Sequence, residues 1–230
     1  MKRILCIAAL LLGTVSAATA QKYSTYYHQR ASLFEVLPVG SNDIVFLGNS
    51  ITDGCEWNEL FDNPHIKNRG ISGDTTEGVL DRLDAVIKGH PAQLFIMIGT
   101  NDLARGRSVD EVIANIGTII DRTRAESPST LIYLQNILPV SPHFGRFEGH
   151  TSKGSEISEA NSRLGSLAAE KRVVCIDLHS LFTDPATEEL DIRYTNDGLH
   201  LTGEGYLLWR DAAEPYVSET EKSYNSHFNQ

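Results

Sequence analysis

Short apolar runs alternate along the chain with longer segments that have a helical period. A short continuous apolar run is typical of a strand buried on both faces of a parallel sheet. Such runs lie at Ile44–Leu47, Leu94–Ile98, Leu131–Leu134 and Val173–Asp177, with a weaker, mixed strand at His65–Asn68. Because strands that alternate with helices form βαβ units, the pattern predicts an α/β domain with a parallel sheet between two layers of helices.

In the segments between these runs, apolar residues recur at helical spacing, and residues suited to capping a helix precede them. The clearest stripe follows Ser108 and Glu111, which together form a predicted capping box. A second capping box is predicted for Asp74 and Glu77, ahead of an apolar stripe that continues to Ile87. Further helices are expected before Pro38, from about Thr52 to Phe61, from about Ser155 to Lys171, and after His200.

The first twenty residues have the pattern of a secretory signal peptide. Lys2 and Arg3 are followed by the apolar core Ile4–Leu12, which is too short to cross a bilayer, and by an A-x-A cleavage site ending at Ala20. We therefore expect cleavage after Ala20 and a secreted or periplasmic protein, with a retained membrane anchor as the alternative. Residues 21–230 are expected to form a single domain, and the polar segment from about 218 to 230 is expected to fray.

The net charge of the chain limits the kinds of partner that it can bind. The formal net charge of the 230 residues is −10, and removal of Lys2 and Arg3 makes it −12. Because so acidic a chain repels nucleic acid and anionic lipid, we expect neither a nucleic-acid partner nor stable membrane insertion.

Cys55 and Cys175, the two cysteines left after cleavage, are expected to be free, buried thiols rather than a disulfide framework. Metal-binding spacings are absent from the sequence, so it predicts no metal site.

One connection is longer than the others. Gln135–Lys153 is rich in proline, glycine, histidine and aromatic residues and has no apolar period, which is typical of a functional or mobile loop. Its His143 and His150 are expected to face substrate or solvent rather than to act in catalysis.

Polar residues follow successive predicted strands. Ser50 follows the first strand, Gly73 the second and Asn101 the third, whereas Asp197 and His200 precede the last helix. Since the carboxyl ends of parallel strands open on one edge of the sheet, these five residues should converge in one crevice.

Together these five residues supply the groups that acyl transfer through a serine requires. A serine hydroxyl needs a base to take its proton, and His200 can do so while Asp197 holds its tautomer. The N–H groups of Ser50 and Gly73 and the side-chain amide of Asn101 could stabilise an oxyanion. Ordinary alternatives stay open: Asn101 could cap a turn, Gly73 could supply a positive φ, and His200 could be a surface histidine.

Four blocks occur in order along the chain: Gly48–Thr52, Gly70–Thr75, Gly99–Asp102 and Asp197–His200. They resemble the four blocks of the SGNH (GDSL-type) hydrolases. The resemblance covers nearly all of the chain after residue 20 and is closest to the branch that holds the catalytic subunits of platelet-activating-factor acetylhydrolase and bacterial acetylesterases.

This resemblance implies a flavodoxin-like three-layer αβα sandwich with a five-stranded parallel sheet, and no cofactor. It makes Ser50 the nucleophile, with its own N–H, Gly73 and Asn101 as oxyanion donors, His200 the base and Asp197 its partner. One departure is Asn49, which stands where the family's Gly-Asp-Ser block has an acid, so the role of that acid is in doubt here.

The function expected from these observations is that of a serine esterase acting on short-chain acyl esters, with acetyl esters of carbohydrates preferred. The partner is then a small-molecule or glycan acyl ester. A lysophospholipase, thioesterase or arylesterase would use the same chemistry on other acyl groups. An alternative of another class is a glycan-binding module that has kept the fold without activity.

Overall fold

The computed structural model describes residues 21–219 and 221–228. The predicted signal peptide lies outside the described residues. Within the described part of the chain, no helix is both long and apolar enough to span a membrane.

Five parallel strands form the central sheet, as the sequence predicts. Their spatial order is β2-β1-β3-β4-β5, the flavodoxin-like order, in which the chain reverses its direction of winding between β1 and β3. The strands are β1 (Ile44–Gly48), β2 (Ile66–Gly70), β3 (Gln93–Met97), β4 (Leu131–Gln135) and β5 (Val174–Ile176). In the register, Gly48 at the end of β1 lies opposite Gly70 on one side and Met97 on the other.

Helices cover both faces of this sheet, which gives the expected three layers. The helices are α1 (Thr25–Val36), α2 (Ser50–Asp53), α3 (Trp57–Leu60), α4 (Thr76–Asp81), α5 (Asp84–Ile87), α6 (Thr100–Ala104), α7 (Val109–Glu126), α8 (Glu148–Thr151), α9 (Gly154–Lys171), α10 (Leu178–Phe182), α11 (Gly203–Val217) and α12 (Glu221–Ser226). A 3-10 turn, Pro142–Phe144, precedes α8.

The two sides of the sheet bury different kinds of side chain. Val45 and Leu47 of β1 point into a wholly aliphatic cluster with α4, α5, α7 and α9. Ile44 and Phe46 point the other way, into a cluster with α3, α10 and α11 that holds most of the buried aromatic rings. The strict alternation along β1 follows from the two-residue period of a strand.

The helix predicted over Thr52–Phe61 is wrong in extent, because the chain forms two short helices, α2 and α3. The Asn68 side chain, projecting from β2, donates to the backbone carbonyls of Thr52, Asp53 and Cys55 at 2.9–3.1 Å. Those carbonyls would accept the next hydrogen bonds of a continuous helix. A side chain distant in sequence therefore ends α2.

The second predicted capping box is also wrong. The N-cap of α4 is Thr75, whose hydroxyl accepts from the N–H of Gly78 at 3.2 Å. The carboxylate of Asp74 is instead paired with the buried guanidinium of Arg82 at 2.8 Å. The capping box of Ser108 with Glu111 forms as predicted at the start of α7.

Within the segment that is expected to fray, residues Glu221–Ser226 form α12. Tyr224 is only 7% exposed, and its hydroxyl donates to the carbonyl of Ile132 at 2.8 Å. A tyrosine packed and hydrogen-bonded in this way fixes the segment against β4.

Both cysteines of the described chain are free, as expected. Cys55 is buried as expected, whereas Cys175, which was also expected to be buried, is half-buried. Burial raises the pKa of the Cys55 thiol to about 12 and that of Cys175 to about 11, so neither is a thiolate near neutral pH.

Candidate active site

The predicted site residues meet at the carboxyl edge of the sheet. Ser50 is the first residue of α2, directly after β1. Gly73 lies in the turn between β2 and α4, and Asn101 lies in α6 after β3. Asp197 and His200 approach the same edge from the turn before α11.

Asn49 is the N-cap of α2. Its side-chain oxygen accepts from the N–H of Ile51 at 3.0 Å, and the residue is 1% exposed. Asparagine and aspartate are equally good N-caps, so this task needs no charge. Because the cap takes the N–H of Ile51, the N–H of Ser50 is left out of the cap.

Ser50, His200 and Asp197 form one hydrogen-bonded chain. The Ser50 Oγ lies 3.0 Å from the Nε2 of His200, and the Nδ1 of His200 lies 2.8 Å from the Oδ2 of Asp197. Ser50 and His200 are half-buried, whereas Asp197 is buried. A carboxylate on Nδ1 keeps the proton there and leaves Nε2 as the acceptor for the serine proton.

Asp197 is held ionised by its surroundings. Burial alone would raise its pKa, but hydrogen bonds from the backbone N–H and imidazole of His200, and from the N–H of Leu199, outweigh burial and lower the pKa below its ordinary value. The turn that presents these donors requires Gly198, which has a φ of 84°. A Cβ on Gly198 would overlap the carbonyl oxygen of Ser141.

The turn that carries Gly73 is anchored on both sides. The Asp53 carboxylate accepts from the N–H and the hydroxyl of Ser72 at 3.1 and 2.8 Å. The Arg105 guanidinium donates to the carbonyl of Gly73 at 2.6 Å. Gly73 has a φ of 79°, a left-handed conformation that glycine adopts at no steric cost. Fixed backbone groups are what an oxyanion site requires.

The side chain of Asn101 is held at both ends of its amide. Its Nδ2 donates to the carbonyl of Asp74 at 2.8 Å, and its Oδ1 lies 2.9 Å from the Nε2 of His150. The His150 contact was missed by the sequence reasoning, which expected this side chain to face substrate or solvent. Its only sequence signal was its place in a histidine- and aromatic-rich connection.

Phe147 lies beside the base. Its ring centroid is 5.1 Å from that of His200 in an edge-to-face arrangement, and the side chain is 45% exposed. The residue has a left-handed backbone, with φ 50° at the start of α8. The loop Gln135–Lys153 therefore contributes both an aromatic surface and His150 to this edge of the sheet.

A shallow groove of about 640 Å³ lies between the C-terminal end of α2, α3 and the start of α11, and its lining does not include Ser50. Its walls include Gly54, whose N–H bonds to the Ser50 carbonyl, together with Leu60 and Tyr206. Three glutamates, Glu56, Glu59 and Glu204, also line the groove.

The described residues contain no group of three or more histidine, cysteine, aspartate or glutamate side chains arranged to hold a metal ion. A serine hydroxyl that is hydrogen-bonded to a histidine, which is in turn hydrogen-bonded to a carboxylate, is the arrangement that serves acyl transfer when amide donors lie nearby.

Comparisons with known proteins agree with this chemistry. Subunit alpha1 of platelet-activating factor acetylhydrolase IB from Bos taurus is 29% identical over 174 residues, which covers 71% of this chain and 70% of the relative. A candidate platelet activating factor structure from Streptococcus pneumonia superposes with a TM-score of 0.76 at 30% identity, covering 84% of this chain and 92% of that one. A GDSL-like lipase from Bacteroides thetaiotaomicron has a TM-score of 0.72 at 26% identity, covering 83% and 96%.

The family model of the GDSL-like lipases and acylhydrolases matches residues 46–208, from β1 to the middle of α11. That stretch includes all five predicted site residues and the whole sheet except the first two residues of β1. The predicted resemblance and the predicted fold are thereby confirmed: the chain belongs to the GDSL-like lipase/acylhydrolase family of hydrolases.

Proposed function

We propose that this protein is a serine esterase that removes acetyl groups from carbohydrate esters through an acyl-enzyme on Ser50. The observation that carries the proposal is the 3.0 Å contact of the Ser50 hydroxyl with His200, whose other nitrogen is paired with Asp197. A surface serine without a catalytic task has no need of a tautomer-fixed base.

The reaction follows from the position of each group. Ser50 Oγ attacks the ester carbonyl carbon while His200 Nε2 takes the hydroxyl proton. The oxyanion accepts hydrogen bonds from the N–H groups of Ser50 and Gly73 and from the Asn101 amide. Collapse breaks the bond to the alcohol, which receives the proton from His200. Water then attacks the acyl carbon of the acyl-enzyme while the same imidazole takes its proton. The bond from the acyl carbon to Ser50 Oγ breaks, His200 returns the proton to Oγ, and acetate leaves.

Each oxyanion donor contributes about 3 kcal/mol, or roughly a hundred- to a thousandfold in rate. The three donors belong to segments that follow three different strands, and each segment is tied down by hydrogen bonds of its own. Donors fixed before the reaction need no reorganisation when charge develops on the oxygen.

Acetyl specificity is supported by the curated relatives, which are named as acetylhydrolase subunits. A carbohydrate alcohol is supported by charge and by Phe147. A chain with a net charge of −10 favours a neutral substrate over anionic lipid. Because His200 gives its proton to the leaving alcohol, the exposed ring beside His200 lies on the leaving-group side, where an aromatic face can pack against a sugar.

The test compares hydrolysis of p-nitrophenyl acetate, butyrate and decanoate, with fluorophosphonate labelling of the same preparation. We expect the highest kcat/KM on acetate and a single adduct on Ser50, with Ser50→Ala as the unlabelled control. A preference for decanoate would instead indicate a lysophospholipase or related activity. An unlabelled Ser50 would favour the non-catalytic glycan-binding module.

The natural alcohol is tested by acetate release from O-acetylated xylan, pectin, sialic acid and peptidoglycan fragments. We expect release from at least one of these glycans at a kcat/KM above that for p-nitrophenyl acetate. If none is deacetylated while the p-nitrophenyl ester is cleaved, the carbohydrate part of the proposal is wrong and the esterase part stands.

A further inference from the structure

The contact with Asp74 identifies which end of the Asn101 amide is the NH₂ group. The backbone carbonyl of Asp74, 2.8 Å away, can only accept a hydrogen bond, so the atom facing it is the NH₂ group of Asn101. The Oδ1 of Asn101 therefore faces the Nε2 of His150, at 2.9 Å. Since Oδ1 can only accept, His150 carries its proton on Nε2 and donates it.

These two bonds occupy two of the four hydrogen-bonding positions of the Asn101 side chain, one of its two N–H groups and one lone pair of its oxygen. One N–H is committed to Asp74, and the oxygen is committed to His150. The second N–H of the amide is the one available to an oxyanion, and its direction is set by the other two bonds. Rotation of the amide about its last bond would break both of them.

His150 is well placed to act as a fixed donor. It is half-buried on α8, where its own N–H bonds to the carbonyl of Phe147 at 2.7 Å. Burial, together with the nearby His200 and Arg105, lowers the pKa of His150, so the imidazole is neutral at pH 7. Its ring also lies edge-on to that of Phe147, at 6.2 Å between centroids.

We propose that His150 is a positioning residue for the reaction: by donating from Nε2 to the Asn101 oxygen it holds the Asn101 amide in the orientation that presents its free N–H to the oxyanion. The inference rests on the proposed function, because it assumes that Asn101 serves an oxyanion. A hydrogen bond accepted by the amide oxygen also polarises the amide and strengthens its N–H as a donor.

The role makes a specific kinetic prediction. Asn101 acts on the charge that develops in the transition state, so a loosened Asn101 amide lowers kcat and leaves KM nearly unchanged. We expect His150→Phe, which keeps an aromatic ring beside Phe147 but cannot donate, to lower kcat on p-nitrophenyl acetate by about tenfold to a hundredfold. His150→Gln, whose terminal NH₂ reaches about as far as Nε2, should restore kcat to within about threefold of the wild type.

A double-mutant cycle separates positioning through Asn101 from any direct effect. In the Asn101→Ala background, His150→Phe should change kcat by less than about twofold, because the amide it orients is gone. His143→Phe, at an exposed histidine of the same loop, is the matched control and should leave both constants unchanged.

Three results would overturn the proposal: an unchanged kcat in His150→Phe, a loss that falls mainly on KM, or losses that multiply fully in the double variant. Each of them presupposes a wild-type protein that hydrolyses the ester and is labelled on Ser50. A wild type that does neither contradicts the proposed function instead, so the two failures are distinguishable.

Discussion

At the scale of single residues, the site depends on groups that hold other groups still. Asn49 takes the N–H of Ile51, which leaves the N–H of Ser50 out of the cap. Asp197 accepts from two backbone N–H groups through one oxygen and from His200 through the other. Each oxygen of Asp197 therefore has its own partners, and a substitution at Asp197 can affect one set of hydrogen bonds and keep the other.

In Asp197→Asn, the amide oxygen would keep the two backbone bonds, and the NH₂ would face Nδ1 of His200. That contact favours the tautomer with the proton on Nε2, which cannot take the proton of Ser50. We expect kcat to fall by about 10⁴-fold in Asp197→Asn and by about 10⁶-fold in Ser50→Ala or His200→Ala. Steady-state kinetics on p-nitrophenyl acetate, with circular dichroism to verify folding, measures the ranking. Equal losses in all three variants would contradict it.

The sequence predicted the position of a site residue correctly where that residue follows a strand within a few residues. Ser50, Gly73 and Asn101 come directly after or shortly after strands that the apolar runs identify, so topology alone brings them to one edge. His150 lies at the same edge, but the path of the loop that brings it there depends on tertiary contacts. The Thr151 hydroxyl, for example, bonds back to the carbonyls of Arg146 and Phe147. No period in the sequence encodes such a path.

At the scale of elements, α2 lies against the ends of two strands because those strands end in glycine. A Cβ on Gly70 would come within 2.6 Å of the Cα of Asp53 and closer still to its N. A Cβ on Gly48 would overlap the Thr52 hydroxyl of α2 and come within 2.5 Å of the carbonyl oxygen of Met97 in β3. The helix that starts at Ser50 can therefore sit where it does only while both positions lack a side chain.

Gly70→Ala should push α2 away from β2 and disturb the contact of Ser50 with His200. We expect a fall in kcat together with a loss of about 1–3 kcal/mol in the free energy of unfolding. The matched control is Gly165→Ala on the exposed side of α9, where nothing lies within 4 Å and a gain of up to about 1 kcal/mol is expected. Urea unfolding and ester hydrolysis measure both variants. A Gly70→Ala protein with wild-type rate and stability would show that α2 yields without cost.

The two mistaken helix predictions share one physical cause. The capping rules assume that a polar side chain forms hydrogen bonds with the nearest backbone groups. In the fold, the side chains of Asp74 and Asn68 form hydrogen bonds with partners farther away in the sequence. Asp74 is a good N-cap by sequence, yet it pairs with Arg82, which also donates to the Gly48 carbonyl. Asn68 ends α2 from a neighbouring strand. The capping box of Ser108 was predictable because both partners lie within one turn.

At the scale of the whole molecule, the site and the segment from the end of α11 through α12 lie at opposite ends of the sheet. Ile132, the partner of Tyr224, lies near the start of β4, whereas Ser50 follows the end of β1. Gln93 at the start of β3 also donates to the carbonyls of Tyr216 and Glu219. The C-terminal segment thus closes the end of the sheet that catalysis does not use.

Tyr224→Ala should therefore lower stability without lowering activity. We expect a loss of about 3 kcal/mol in the free energy of unfolding, from the vacated ring site and the lost hydrogen bond to the Ile132 carbonyl, and an unchanged kcat at 25 °C. Asn225→Ala, at an exposed position of the same helix, should change stability by less than about 0.5 kcal/mol. If Tyr224→Ala is as stable as the wild type, the segment frays in solution as its polar composition suggests.

The unequal chemistry of the two sheet faces decides what optical spectroscopy can observe. Both tryptophans of the chain, Trp57 and Trp209, are fully buried on the aromatic side, 4.8 Å apart between ring centroids. Stacked rings continue from Trp57 through Phe46 and Phe95 to Tyr133, at 4.3–4.7 Å. The opposite cluster is purely aliphatic. Intrinsic fluorescence and near-ultraviolet circular dichroism therefore record the loosening of one face, and methyl resonances are needed to follow the other.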